Sequence, residues 1–445
     1  MKLFRLLALS VLATLTFVSC SEDAPVGDPS LGSINPDVYV AIGNSLTAGY
    51  QSGALFEEAQ LFSYPNIIAQ QIGTPDFVQP LIPYPGTGEL LVLRQLTPTP
   101  VITVGEANVA AAKNATHPAP YHNLGIPGAV MADAIDESDI QQRAEERGNP
   151  FYPIIMRDQE AFGKSLVAQA IKLQPTLLTF WLGNNDVFVY AGSGGVRGTD
   201  QTGRLPTDPQ NFEFYLATAL DLIKANLPET EVLIGNIPDV TANPLFNTVP
   251  RKVPNPFDQT QLLSIHFVTS DNQVRTVQEG DYVLLSAQSA LATGAGLVDS
   301  VPLPSQYVLD ANEVQIAQDA VDAFNAAINR QAADHGYTVV DMHALMNQLN
   351  NGGISIAGET YTSDYISGGV FSLDGVHIMQ RGNVIVANTF IEAMNRAYGA
   401  NIRLAATNDV PGFPAPTGVG KRPAGPVWDI GMRFPAVDIG RLVTF

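Results

Sequence analysis

The chain has 445 residues and a formal net charge of −20 at pH 7, with 43 acidic residues against 23 Lys and Arg. That excess of carboxylates excludes nucleic acid as an expected partner, because a phosphate backbone is bound by clustered Lys and Arg. The apolar fraction of 45% excludes a disordered or fibrous chain, and the length permits one large domain or two ordinary ones.

The N-terminus has the pattern of an export signal. Lys2 and Arg5 precede an apolar run that ends at Val18, and this run is too short to span a bilayer. We therefore predict that residues 1–19 are a signal peptide. Its removal takes away two basic residues and no acid, so the remaining chain carries a formal charge of −22.

Cys20, the only cysteine in the chain, directly follows this segment. A lone cysteine cannot form an internal disulfide, so its position needs another explanation. The sequence FVSC resembles the lipobox of bacterial lipoproteins, and CSEDAP resembles the acidic export tag of Bacteroidetes surface lipoproteins. The resemblance implies a lipid on Cys20 and an exported protein in the outer membrane, at the cell surface. The alternative is a buried free thiol just after a cleaved signal.

Residues 20–36 are predicted to be a tether. The stretch is acidic and polar and contains three prolines, which is typical of a linker. The acidic charge of the whole chain argues against adsorption to an anionic membrane surface, so the lipid on Cys20 is the expected membrane anchor.

Strand-like and helical patterns alternate along the rest of the chain. Apolar runs rich in β-branched residues predict strands at 38–42, 176–182, 231–237 and 337–342. Apolar residues at helical spacing predict helices at 158–173, 207–227, 312–333 and 382–398. The alternation predicts an α/β fold with a doubly wound, mostly parallel β-sheet sandwiched by helices, in one domain over residues 37–400.

Three segments interrupt this alternation and are predicted to be long insertions: residues 75–120, 190–207 and 243–310. They are rich in Pro, Gly, Asn and Thr and show little helical period. Residues 401–445 combine many Pro and Gly with a few aromatic residues, which predicts an irregular C-terminal extension packed on the core.

Ser45 stands in AIGNSLTAGY, where the first predicted strand ends and a helical pattern begins. Turns of this kind lie at the carboxyl edge of an open α/β sheet, where ligands bind. A serine here fits a nucleophile, which needs a base, an orienting group and oxyanion donors at the same edge. It also fits a helix N-cap, and taken alone this residue favours the cap.

Among the six histidines, His377 has the surroundings that best suit a general base. It lies in SLDGVHIMQRGN, three residues after Asp374 and directly before the last predicted helix. This turn can place the carboxylate against the ring Nδ1, so that Nε2 faces outward as a base. A structural histidine is an equally good interpretation of His377 and the better one for the other five.

Two further turns offer donors for an oxyanion. Asn185, in GNND after the second predicted strand, carries an amide N–H without charge, although an Asx turn explains it as well. Gly125, in NLGIPGA, can bring a backbone N–H close to a reacting oxygen because it has no side chain.

Taken in order, Ser45 in GNSL, Gly125 in NLGIPGA, Asn185 in GNND and His377 in DGVH resemble the four blocks of the SGNH hydrolases, the GDSL family of esterases and lipases. The resemblance covers residues 37–399. It implies a flavodoxin-like three-layer fold and a serine ester hydrolase that works through an acyl-enzyme without metal or cofactor.

The resemblance also implies a role for each residue. Asp374 orients His377, His377 deprotonates Ser45, and the N–H groups of Ser45 and Gly125 hold the oxyanion together with the Asn185 amide. The sequence departs from the family at Asn44, where GDSL proteins have Asp, and Asp186 is expected to be a structural acceptor rather than a base.

Further expectations concern the substrate. The implied substrate is a small-molecule, lipid or acylated-glycan ester, and we expect a monomer. Substrate-pocket candidates near the catalytic blocks are Leu46, Tyr50, Trp181, Phe188 and Tyr190, although packing against the sheet is an equally good interpretation of Leu46 and Trp181. Residues 190–207 begin four residues after Asp186 and are predicted to be a mobile flap over Ser45. The alternative function is a non-catalytic surface lipoprotein that binds glycan or lipid on an SGNH scaffold.

Overall fold

A computed structural model of the chain describes residues 28–96, 100–196, 199–200, 203–255 and 258–412. Its centre is a sheet of five strands: β1 Tyr39–Gly43, β2 Asn123–Gly125, β3 Leu177–Trp181, β4 Glu231–Gly235 and β5 Thr338–Val340. The strands lie in the order β5-β4-β3-β1-β2, and every neighbouring pair is parallel. The predicted parallel sheet is confirmed, and β2 is an additional strand that the sequence pattern presents as a turn.

Helices cover both faces of this sheet. Val40 and Ile42 of β1 pack against the helices Leu166–Leu173, Pro209–Asn226 and Ala311–His335. Tyr39 and Ala41, whose side chains alternate with these, pack against Tyr64–Ile72, Met342–Asn350 and Gln380–Tyr398. The fold is therefore a three-layer α/β sandwich, as predicted.

The long helices begin at the residues that their sequences indicate. Asp208 and Asp310 accept backbone N–H bonds in the first turns of Pro209–Asn226 and Ala311–His335. The predicted helix 158–173 is instead two helices, Gln159–Phe162 and Leu166–Leu173. Ser165 causes the division, because its hydroxyl accepts the Ala168 N–H and starts a new helix.

The remaining α-helices are short: Ser45–Ala48, Glu57–Gln60, Ile140–Arg147, Phe151–Ile155, Asn185–Gly192, Pro244–Asn247 and Gln288–Ala292. Short 3₁₀ helices occur at Met131–Ala134, Val240–Ala242, Leu285–Ala287, Ser305–Tyr307 and Thr407–Asp409. Among the helices that the structure describes, none combines the length and the apolar character needed to cross a membrane.

Short antiparallel strand pairs occur in the insertions and also outside them. They are Ala54–Leu55 with Thr87–Gly88, Leu91–Gln95 with Val101–Val104, Thr199–Asp200 with Gly203–Arg204, Lys252–Asn255 with Asp258–Ser264, His266–Val268 with Val274–Thr276, Tyr282–Val283 with Val308–Leu309, and Ile354–Ile356 with Glu359–Tyr361. The 243–310 insertion also has its own apolar cluster around Ile265, Phe267 and Leu303. It is a small folded unit on the main domain.

Both ends of the described chain pack on the core. Ser30 pairs with Asn401, and Ile34 is buried in the apolar layer that contains Tyr39 and Ala41. The later part of the predicted 20–36 tether is thus attached to the domain, since it gains backbone partners and apolar burial. Ile402 is also buried, so the chain directly after residue 400 still contacts the core. The predictions for residues 1–19, Cys20 and residues 413–445 lie outside the described residues.

Candidate active site

A cleft of about 1040 Å³, including the part open to solvent, lies at the carboxyl edge of the sheet. Residues that follow the ends of all five central strands contribute to its wall: Ser45, Pro127, Asn184, Ile237 and Met342. Asn185 and His377 also line it. The sheet therefore brings Ser45, Asn185 and His377 to one cleft.

Ser45 is the first residue of the Ser45–Ala48 helix but not its cap. The Oδ1 atom of Asn44 accepts the Leu46 N–H at 3.0 Å and so performs the capping. Asn44 is 1% exposed, and it fills the position of the family's Asp with a structural hydrogen bond. The hydroxyl of Ser45 is left to face the cleft, which favours the nucleophile interpretation over the cap.

Two glycines let β1, β2 and the Ser45 helix approach each other closely. A Cβ on Gly43 would lie 2.0 Å from Thr47 Oγ1, and a Cβ on Gly125 would lie 2.3 Å from the Ala48 nitrogen. Both positions therefore require glycine for packing, and this close packing determines where Ser45 stands.

Gly125 is not the oxyanion donor that the sequence suggested. Its N–H already donates to Asn123 Oδ1 at 3.0 Å, and the residue does not line the cleft. Gly128, three residues further on, does line it. The N–H groups of Ser45 and Gly128 have no hydrogen-bond partner among the residues that the structure describes. The sequence could have indicated Gly128, because the Pro-Gly pair in NLGIPGA is typical of a turn.

Asp374 and His377 form a buried pair. His377 Nδ1 lies 3.0 Å from Asp374 Oδ2, and the other carboxylate oxygen accepts the backbone N–H groups of Val376 and His377 at 2.9 and 2.8 Å. Gly53 N–H and Ser372 Oγ also donate to Asp374, both at 3.1 Å. The predicted turn thus places the carboxylate on Nδ1 and leaves Nε2 as the free ring nitrogen.

This arrangement keeps Asp374 ionised. Burial by itself would raise the pKa of the Asp374 carboxyl, but the charge of His377 and the hydrogen bonds from His377 and Val376 hold that pKa below its usual range. A buried carboxylate with this set of donors can orient an imidazole and stabilise its charged form.

An aromatic side chain also packs against the imidazole of His377. The ring of Tyr50 lies 4.7 Å from the ring of His377 and packs edge-on against Phe151. Tyr50 is 2% exposed, and burial, followed by the charges of Asp374 and Glu89, raises the pKa of its hydroxyl well above the usual value. Tyr50 is therefore neutral and acts as an apolar support for His377.

Asn185 begins the helix that follows β3. One N–H of its amide donates to the Ala129 carbonyl at 2.9 Å, which fixes the amide and leaves its second N–H for the cleft. Asp186 accepts the Met131 N–H at 2.7 Å and the Thr207 hydroxyl at 2.8 Å. Asp186 is thus an acceptor that holds neighbouring loops, as expected.

The five pocket candidates divide into two groups. Leu46, Tyr50, Trp181 and Phe188 line the cleft, and Trp181 also donates its indole N–H to the Asn236 carbonyl. Tyr190 is 1% exposed, belongs to the apolar core and does not line the cleft. The prediction for Tyr190 is wrong because its position on the Asn185–Gly192 helix turns it toward the core.

The described part of the expected flap does not lie over Ser45. None of the described residues between 191 and 207 lines the cleft, and Leu205 is buried in the core. Gly194 packs directly on the backbone of Ser305. The 243–310 insertion reaches the site instead, since Asn243 lines the cleft and Leu245 donates its N–H to the Gly375 carbonyl at 3.0 Å.

The other five histidines lie outside the cleft. His122 accepts the Val78 N–H, His335 contacts Asp221 and the Gln331 carbonyl, and His343 contacts the Ile237 carbonyl. His117 stacks on Tyr121, and His266 is part of a strand pair in the insertion. Their contacts agree with the structural interpretation.

The fold is thus of the three-layer α/β class, with a serine, a histidine and an aspartate at one site. The family model described as GDSL-like Lipase/Acylhydrolase matches residues 39–390, and the chain belongs to this family. No functionally curated protein matches the chain.

Several solved structures resemble it over most of their length. A candidate GDSL-like lipase from Parabacteroides merdae is 16% identical with a TM-score of 0.35, and the match covers 82% of this chain and 99% of that one. Phospholipase A1 from Streptomyces albidoflavus is 12% identical (TM-score 0.32, 81% and 98% covered). A family 3 carbohydrate esterase from Clostridium thermocellum is 13% identical (TM-score 0.30, 82% and 98% covered). Likenesses at this level carry no activity over to this chain.

Proposed function

We propose that the protein hydrolyses carboxylic esters through an acyl-enzyme on Ser45. The observation that carries this proposal is the buried His377–Asp374 pair at the same cleft as Ser45, whose hydroxyl is not used to cap its helix. A general base held by a carboxylate, beside a serine and a set of unused N–H donors, is the arrangement that acyl transfer requires.

Each residue has a defined part in the reaction. Ser45 Oγ attacks the ester carbonyl carbon while its proton passes to His377 Nε2, and Asp374 stabilises the imidazolium through Nδ1–H. The negative oxygen accepts hydrogen bonds from the N–H groups of Ser45 and Gly128 and from the Asn185 amide. The intermediate collapses, and His377 returns the proton to the leaving alcohol. Water then attacks the acyl-enzyme with the same base, which releases the acid and restores Ser45.

The lining of the cleft favours an ester with an apolar chain over an acetylated glycan. No Asp, Glu, Lys or Arg lines the cleft in the described part of the protein. One wall is formed by apolar side chains of the Met342–Asn350 and Gln380–Tyr398 helices: Met342, Leu345, Met346, Leu349, Ile385 and Val386. A hydrocarbon chain gains free energy from such a wall, whereas sugar hydroxyls would lose hydrogen bonds to water without replacement.

A larger side chain on this wall should narrow the cleft and change the length of acyl chain that the protein prefers. We expect Met346→Trp to lower kcat/KM for a p-nitrophenyl dodecanoate at least about tenfold and to leave the acetate ester within about twofold, because added bulk in a packed wall displaces only the longer chain. Leu222→Trp is the matched control, since Leu222 is 41% exposed on the outer Pro209–Asn226 helix. Equal losses on both esters in Met346→Trp would contradict an apolar-chain substrate. A higher kcat/KM of the wild-type protein for the acetate than for the dodecanoate would also contradict it.

We further propose that Cys20 carries a lipid that anchors the protein at the outer membrane. The support is the short apolar signal followed by FVSC and an acidic stretch. The N-terminal peptide of the protein extracted from cells should begin at Cys20 and carry the mass of acyl chains, and Cys20→Ala should release the protein from membranes. An unmodified N-terminus beyond Cys20 would refute the anchor.

A further inference from the structure

The loop after the Ser45 helix is fastened to the turn that carries Asp374 and His377. Ser52 donates its N–H to Ser372 Oγ at 3.0 Å, and Ser52 Oγ accepts the Leu373 N–H at 3.3 Å. The next residue, Gly53, donates its N–H to Asp374 Oδ2 at 3.1 Å. Segments more than 300 residues apart in sequence are thus joined by three hydrogen bonds beside the carboxylate.

These bonds are buried and have a conformational cost. Ser52 is 4% exposed and Ser372 is fully buried. Ser52 has φ 51°, in the left-handed backbone region that residues with a Cβ seldom adopt. The hydrogen bonds to residues 372 and 373 help to hold this conformation, together with the bond from the Leu91 N–H to the Ser52 carbonyl. Strained backbone of this kind concentrates at functional sites.

Ser372 links the loop to the chemistry. Its hydroxyl accepts from the Ser52 N–H and donates to Asp374 Oδ1 at 3.1 Å, while Asp374 Oδ2 accepts from His377 Nδ1. The donors therefore run in one direction, from the Ser52 backbone through the Ser372 hydroxyl to the carboxylate. Bonds in such a chain polarise each other and fix the orientation of the groups they join.

We propose that Ser52 and Ser372 are positioning residues that form a latch between the nucleophile loop and the Asp374–His377 turn. The latch fixes the position of the imidazole relative to Ser45 and withdraws charge from the Asp374 carboxylate. This inference rests on the proposed ester hydrolysis and adds two residues that the catalytic blocks do not contain.

The two serines are expected to act differently when replaced. Ser372→Ala removes a donor from Asp374, so the carboxylate attracts the imidazolium more strongly. We expect the acidic limb of the pH profile of kcat/KM to move to higher pH and kcat to fall about tenfold, with KM nearly unchanged. Ser52→Gly removes the bond between Ser52 Oγ and the Leu373 N–H, so it should lower kcat. It keeps the N–H bond to Ser372 and accepts the positive φ, so the acidic limb should stay in place.

Ser63→Ala is the matched control. Ser63 is fully buried, and its hydroxyl makes one side-chain hydrogen bond, to Gln79, away from the cleft. It should lower the melting temperature about as much as Ser372→Ala and leave kcat and the pH profile at wild-type values.

The outcomes separate the latch from the proposed function. A latch is overturned if Ser45→Ala abolishes turnover while Ser372→Ala and Ser52→Gly keep wild-type kcat and pH profiles, or if Ser63→Ala lowers kcat equally. If Ser372→Ala fails to fold, Ser52→Gly decides alone: a lower kcat at unchanged KM supports the latch, and a wild-type kcat overturns it. Retained turnover in Ser45→Ala would instead refute the ester-hydrolase mechanism.

Discussion

Ser45→Ala and His377→Ala are each expected to reduce kcat/KM for a p-nitrophenyl ester at least about a thousandfold. Without Ser45 Oγ no acyl-enzyme forms, and His377 is the one imidazole that lines the cleft in the described part of the chain, where no carboxylate could replace it as a base. Both side chains are largely buried, at 7% and 6% exposure, so water replaces neither group easily. Initial rates with purified protein at neutral pH provide the measurement.

The two losses should not add, because the serine and histidine act in the same step. The double variant is therefore expected to be about as slow as either single one. His122→Ala is a suitable control, since His122 bonds to Val78 outside the cleft. A double variant far slower than both single ones would mean that the residues act independently, which the acyl-transfer mechanism does not allow.

Asn185→Ala is expected to cost about 3 kcal/mol of transition-state stabilisation, or about a hundredfold in kcat. The change removes one oxyanion donor but leaves the N–H groups of Ser45 and Gly128. KM should change little, because the bond strengthens only as negative charge develops on the substrate oxygen.

Asn66→Ala controls for the loss of a buried amide. Asn66 is 9% exposed and donates its side-chain N–H to the Leu61 carbonyl, much as Asn185 donates to Ala129, but it does not line the cleft. Wild-type kcat in Asn185→Ala, or an equal loss in Asn66→Ala, would remove Asn185 from the oxyanion site.

The central sheet could be predicted because its strands carry uninterrupted apolar runs. In β1 and β3 every residue is buried, so both faces select apolar side chains and the pattern is clear. The strand β2 could not be recognised in the same way, because Asn123–Gly125 is three residues long and contains Asn and Gly. These residues are chosen for the close approach of Gly125 to Ala48 rather than for strand propensity.

The site was predictable where a short motif fixes its own geometry. Asp374 and His377 are three residues apart, so one turn suffices to join carboxylate and imidazole. Ser45 was ambiguous in sequence because a serine and an asparagine both cap helices, and only the bond from Leu46 to Asn44 shows which of them does so.

Contacts between distant segments could not be read from sequence. Gly125 and Gly128 are equally plausible in NLGIPGA, and the bond to Asn123 decides between them. The flap expectation for 190–207 used nearness in sequence to Asn185, whereas the chain turns toward Ser305 after the helix. Ser52 and Ser372 lie outside the four sequence blocks, and their contact joins positions 320 apart in the chain.

Covalent labelling with a fluorophosphonate tests the nucleophile most directly, because this reagent phosphonylates a serine that has an active base and oxyanion donors. Intact mass spectrometry of the full protein should show one adduct, and peptide mapping should place it on Ser45. The adduct should be absent in Ser45→Ala and form much more slowly in His377→Ala. Labelling at another serine, or an unchanged labelling rate in His377→Ala, would contradict the assignment of Ser45 and His377 as nucleophile and base.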